Sequence, residues 1–234
     1  MKLLSAMGWL ILFVLPLVAL YMVFMVVPNE REMGEVQRIF YFHVGSAMVA
    51  FTSFFVVMIA SIGYLITAKR SWDRMALATT EVGVLFLTIV VITGPLWAKP
   101  VWGVYWVWQD ARLITTLVLW IYFTIYLLLR NNWGDDPQGL RFAAVLGIVG
   151  FLDVPIIYFS VKWWNFIHPS HVMGPMGGGL HPTMARALGV STLALFAIWL
   201  GLILTRIKLE RSRDAAKALV REISRDESLS GRGV

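Results

Sequence analysis

Histidines and tryptophans are the residues with which this 234-residue chain is equipped to do chemistry. The tryptophans are concentrated in "WAKPVWGVYWVWQDARL", residues 97 to 113. That stretch holds Trp97, Trp102, Trp106 and Trp108, four of the chain's eleven, with Tyr105 among them and Asp110 and Arg112 close behind. Tryptophan is enriched where bilayer meets water, so a run beside apolar segments fits an aromatic belt. Belts, however, are sparse and distributed. Trp102 and Trp106 are four apart and Trp106 and Trp108 two apart, so the three crowd one surface without demanding a pure helix or a pure strand. A wall of that kind suits a large planar apolar ligand. The bare pattern supports the belt and the ligand platform equally.

The four histidines are His43 in "RIFYFHVGSAM" and His168, His171 and His181 in "VKWWNFIHPSHVMGPMGGGLHPTMAR". Imidazole is a common axial ligand of haem iron. A porphyrin also calls for apolar walls and for cations to meet its propionates, and Arg112 and Lys99 are at hand. A lone interfacial histidine is ordinarily a structural residue. A b-type membrane cytochrome would bury paired histidines in mid-helix, and no histidine falls there. A metal transporter would string His, Asp or Glu ligands along a path. The one deep ionisable residue is Asp153, beside Pro155 in "GFLDVPIIYFS"; it is expected to cap the backbone groups that the proline frees. Glu81, near the inner end of the third apolar stretch, reads as structural or functional alike.

Several chemistries are excluded outright. The chain has no cysteine, so it carries no disulfide, no thiolate-held zinc or iron–sulfur cluster, and no C-x-x-C-H attachment site for covalent haem. It has no P-loop and no H-E-x-x-H, and no Ser/His/Asp arrangement is recognisable. "GPMGGGL" (174–180) follows no strand and opens no Rossmann helix; it reads as a flexible outer loop.

The elements that must position these residues are helices in a bilayer. The chain is 59% hydrophobic and 15% charged, with a mean hydropathy of +0.73, more apolar surface than a soluble domain can hide. Six apolar stretches are long enough to span, near Gly8–Val27, Phe40–Thr67, Ala76–Leu96, Leu113–Leu129, Leu140–Val161 and Ala187–Thr205. Continuous apolar runs mean helices, the fold class being an all-α integral membrane protein of six transmembrane helices. The N-terminal run is about 20 residues with no small-x-small site after it, so it reads as a retained first helix rather than a signal peptide. With both termini in the cytoplasm, the inner side carries fourteen Lys and Arg and the outer side six, the distribution that topology rules favour. Residues 1–205 then form one transmembrane unit with a tryptophan-rich outer loop at 97–113, and 206–234 a charged cytoplasmic tail, expected as a solvated helix on the membrane surface. The net charge of +6 fits a basic tail beside anionic lipid and calls for no nucleic acid. By parity, connections one–two, three–four and five–six share one membrane side. Every histidine and the tryptophan run therefore lie at one face.

At this point a resemblance enters. "GPLWAKPVWGVYWVWQDARL" resembles the tryptophan-rich "WWD" signature of the haem-handling proteins of cytochrome c maturation. Most similar is the six-helix family of cytochrome c maturation protein C (CcmC), also called haem exporter protein C. "YFHVGSA" (41–47) and "VPIIYFSVKWWNFIHP" (154–169) resemble that family's two outer histidine regions. Three motifs in order cover nearly all the chain up to the tail. The resemblance implies a haem-transfer protein rather than an enzyme, in the bacterial cytoplasmic (inner) membrane, carrying haem b non-covalently and in transit. It implies His43 and His168 as axial ligands, and a haem surface formed by Trp102, Tyr105, Trp106 and Trp108 with Asp110 and Arg112. It implies delivery to a membrane-anchored haem chaperone, assisted by ABC-transporter subunits and a small accessory membrane subunit, so the ATPase belongs to a partner. In the family pattern Asp follows the last Trp directly; here Gln109 intervenes, which is expected to turn Asp110 and Arg112 relative to the tryptophans. His171 ranks second as a ligand, and His181 matches no motif. The competing reading is a non-haem membrane scaffold or small-solute transporter subunit, with the tryptophans as interface anchors.

Overall fold

The computed structural model describes residues 2–133, 136–164 and 180–230, and it is helical throughout these apart from short connections. Helix α1 (Lys2–Tyr21) runs on as one wider turn through Val26. A short 3-10 turn, Glu35–Arg38, leads into α2 (Ile39–Thr67). Then follow α3 (Arg70–Trp102), α4 (Ala111–Trp133), α5 (Pro137–Phe151), α6 (Asp153–Trp164) and α7 (Pro182–Ser230). Among the described residues six spans are long and apolar enough to cross a membrane, with α5 and α6 together forming the fifth.

The helices pack where small residues let backbones approach, as lipid offers no hydrophobic drive between them. Helix α2 is central, lying against α3, α5 and α7. Gly83 faces Ser53 so closely that an added Cβ would come within 2.8 Å of the serine Cβ. Aromatic residues fill the wider gaps: Phe54 and Phe123 stack at 4.0 Å between centroids, both fully buried. Two indole N–H groups bridge helices, Trp199 to the Ser53 hydroxyl at 2.7 Å and Trp120 to the Thr88 hydroxyl at 2.8 Å. Helix α1 packs along α7 and leaves Trp9, Leu10 and Phe13 exposed.

Three local features depart from the sequence expectation. Helix α3 does not stop at Leu96. It continues through Pro95 and Pro100 to Trp102, so the tryptophan stretch begins as helix. The fifth span breaks at Leu152, where Pro155 offers no N–H to the Phe151 carbonyl. The expected cap by Asp153 is not formed: its Oδ2 is buried with no hydrogen-bond partner among the described residues. The group Pro155 frees is an acceptor, and a carboxylate is an acceptor too. The tail, finally, is no separate surface helix. Helix α7 passes Thr205 without a break, and its first tail turns are tied to α3 by Arg206–Glu81 and by Asp214 pairing with Arg70 at 3.3 Å and Arg74 at 2.9 Å.

Candidate functional site

The start of α2 and the end of α3 lie side by side, because the two helices are antiparallel and joined only by Ala68 and Lys69. That brings His43, in the second turn of α2, against Thr93 and Trp97 of α3. The His43 Nδ1 lies 2.9 Å from the Thr93 hydroxyl, and the indole of Trp97 meets the imidazole edge-on at 5.8 Å between centroids. A pocket of about 150 Å³ opens here, lined by His43, Gly94, Trp97, Ala98, Val101 and Trp102, with Leu113 of α4 and Glu32 and Met33 from the connection between α1 and α2. Glu30 shapes that connection: its carboxylate accepts the backbone N–H groups of Met33 at 2.7 Å and Glu32 at 2.9 Å, and these bonds hold it below the usual carboxylate range.

Helix α3 ends on Gly103, whose φ of +76° is the left-handed cap that glycine adopts without strain; its N–H donates to the Lys99 carbonyl. The Lys99 ammonium turns back to the Gly103 carbonyl at 2.8 Å and lies over the Tyr105 ring at 5.3 Å. Past the turn, Trp106 and Trp108 meet edge to face at 5.9 Å. Trp106 is half-buried, whereas Trp108 is 69% exposed and stands out from the bundle. The indole nitrogens of Trp97 and Trp106 are buried N–H donors that find no acceptor among the described residues.

Asp110 has a specific position. It is buried, and its Oδ1 accepts the backbone N–H groups of Arg112 at 3.0 Å and Leu113 at 3.1 Å, the N-cap of α4. The cap, rather than the count of residues after the tryptophans, sets where this carboxylate points, and Gln109 is accommodated as an exposed turn residue. Arg112 donates from Nη2 to the Tyr158 carbonyl of α6 at 3.2 Å, so α4 holds α6 near the same end of the bundle. There α6 presents Phe159 stacked on Trp163, with Trp164 alongside.

Of the expected site residues, His43 and Trp102 share the pocket, while Tyr105, Trp106, Trp108, Asp110 and Arg112 form the turn and helix start beside it. His168 and His171, and most of the glycine-rich loop, lie outside the described residues. His181 is exposed at the start of α7, where its Nδ1 faces the Thr183 N–H at 3.4 Å. Thr93, at the heart of the site, escaped the sequence reading, and Trp97, named there within the tryptophan run, was not among the expected site residues. Both become visible once α3 is extended past Pro95, since 93, 97 and 101 then fall on one helical face. Among the described residues no three His, Asp or Glu side chains gather into a metal cage. The arrangement offers instead one imidazole, apolar aromatic walls, unused indole N–H donors and a cation at the rim. That donor set fits a flat, anionic, iron-bearing macrocycle such as haem; the pocket holds only part of so large a molecule, so the remainder would lie on the open face.

Comparison with known proteins bears on the same point. Residues 1–221 match the family model described as heme exporter protein C. The chain is 36% identical to the heme exporter protein C of Bradyrhizobium diazoefficiens, over 82% of this chain and 73% of that one. It is 30% identical to the heme exporter protein C of Escherichia coli strain K12, over 77% and 73%. A cytochrome c biosynthesis ccmC-like mitochondrial protein of Marchantia polymorpha is 33% identical over 71% and 70%.

Proposed function

From the premise that this chain belongs to the heme exporter protein C family, we propose that it binds haem as cargo at the tryptophan-rich end of its bundle and delivers it for cytochrome c maturation. The observation that carries this reading is His43 on a pocket walled by Trp97 and Trp102. His43 supplies one axial nitrogen and His168 the other. Trp97, Trp102 and Trp106 give the macrocycle apolar faces, and Arg112 and the free indole N–H donors meet its carboxylates. Tyr105 and Trp108, exposed on the turn, extend the platform toward the partner. Asp110 acts indirectly, by fixing the start of α4 from which Arg112 projects.

The cargo is haem b, held without a covalent bond. Its acceptor is a membrane-anchored haem chaperone, and ABC-transporter subunits with a small accessory subunit complete the machinery. The site faces outward from the bacterial inner membrane. Binding by two ligands on opposite faces of the iron, over a pocket too small to enclose the ring, suits a carrier: the haem is held firmly, yet one edge stays within reach of the acceptor.

The test is an absorption spectrum. Protein purified after expression with haem supply should show a Soret band that weakens or vanishes in His43→Gly and in His168→Gly. A colourless but folded wild-type preparation, or spectra unchanged in both variants, refutes the assignment.

A further inference from the structure

The pocket histidine is held by a hydroxyl that also bonds back to its own helix. Thr93 Oγ1 donates to the Ile89 carbonyl one turn back, at 2.6 Å, and lies 3.5 Å from the Val90 carbonyl. A hydroxyl has one proton and two lone pairs. With the proton directed to Ile89, the shorter of the two contacts, Thr93 accepts at its 2.9 Å contact with His43 Nδ1. That arrangement pairs with an imidazole protonated on Nδ1, since two lone pairs would otherwise face each other. Its Nε2 then bears the ring's free lone pair, beside the pocket that His43 lines. This is the tautomer metal ligation at Nε2 requires, and an acceptor on Nδ1–H both orients the ring and makes the ligating nitrogen more basic.

We propose that Thr93 is a positioning residue for the cargo: it locks His43 in the Nδ1–H tautomer before haem arrives and sets the donor strength of Nε2 once haem is bound. The second half rests on the reading that His43 ligates haem; the first does not. Thr93 touches no cargo itself. It acts through the histidine, from a neighbouring helix, so the packing of α3 on α2 becomes part of the ligand's chemistry. The threonine's bond back to Ile89 also keeps its side chain in one rotamer, which a serine can reproduce and a valine cannot.

Two measurements test this. In the haem-free protein labelled with ¹⁵N-histidine, signals lost in His43→Gln belong to His43. They should report a protonated Nδ1 and a bare Nε2 at a pH where the ring is neutral, and an Nε2–H form overturns the proposal whatever the variants do. In haem titrations, Thr93→Val should weaken ferric haem binding by about 10- to 100-fold, the usual cost of losing such a partner. It should also raise the haem midpoint potential, since a less basic imidazole favours the ferric state less. Thr93→Ser should restore both. Valine behaving like serine overturns the haem half of the proposal. Haem binding left unchanged by His43→Gly refutes the ligand assignment instead, while the ¹⁵N result still decides the tautomer. Should Thr93→Val fail to fold, the ¹⁵N spectrum and the serine variant carry the test.

Discussion

Asp110 shows how chemistry and position separate at the scale of one residue. A carboxylate next to a tryptophan platform invites a role at the ligand, yet the two N–H groups it accepts belong to α4. If capping is its work, asparagine can replace it, since both residues cap well, whereas alanine should lower stability by about 0.5–2 kcal/mol. Thermal unfolding in detergent should therefore rank wild type and Asp110→Asn together and Asp110→Ala below them, with haem affinity following the same order. An asparagine variant that stays stable but loses haem would show that the charge itself meets the ligand. The sequence made the tryptophans and His43 legible because their residue types are rare and bunched. Thr93 was not legible, as threonine is common in these helices and bonds its own helix carbonyl at several positions, Thr80, Thr88 and Thr115 among them. Only its partner, the pocket histidine, separates it from them.

At the scale of elements, spans were readable from hydropathy and their ends were not. Prolines at 95 and 100 would ordinarily mark the end of a helix, but α3 continues through both, as helices in a bundle can where neighbouring groups satisfy the backbone that proline frees. Two ends are decided by backbone conformation. Ala68 closes α2 at φ +51°, a left-handed cap held by a residue with a Cβ, while Gly103 closes α3 at φ +76°. The left-handed conformation costs an L residue about 1–2 kcal/mol, partly offset by the greater freedom of glycine in the unfolded chain. Ala68→Gly should thus stabilise the protein by roughly 0.5–1 kcal/mol, and Gly103→Ala should destabilise it by a similar amount. Paired melting curves check both signs. The reverse order would mean that the tight link between α2 and α3 relaxes freely, and with it the alignment of His43 on Thr93.

Across the whole molecule, the two ends of the bundle do different things. One end gathers aromatic residues and a histidine; the other gathers ion pairs between helices. There Arg130 of α4 donates to both oxygens of Asp73 on α3, at 2.8 and 2.7 Å, and both side chains are buried. Arg70 reaches the same carboxylate at 2.8 Å. Deleting the carboxylate takes from buried Arg130 the charge it pairs with, so Asp73→Ala should cost about 3–5 kcal/mol. Arg130→Met leaves Asp73 with Arg70 and should cost less; chemical denaturation of the two variants tests the asymmetry. The polarity also fits the charge count, with fourteen Lys and Arg assigned to the ion-pair side against six on the tryptophan side. Charge bias sets which side stays in the cytoplasm, and on that rule we propose that the tryptophan end faces outward. The chain has no cysteine, so a single one reports its own location without background. Gln109 lies exposed in the turn after the tryptophans, and Asn131 lies exposed at the far end of α4. In intact spheroplasts, a membrane-impermeant thiol reagent should label Gln109→Cys at once and Asn131→Cys only after the membrane is opened. Labelling in the opposite order would place the histidine and its pocket in the cytoplasm, where haem would be collected rather than handed on.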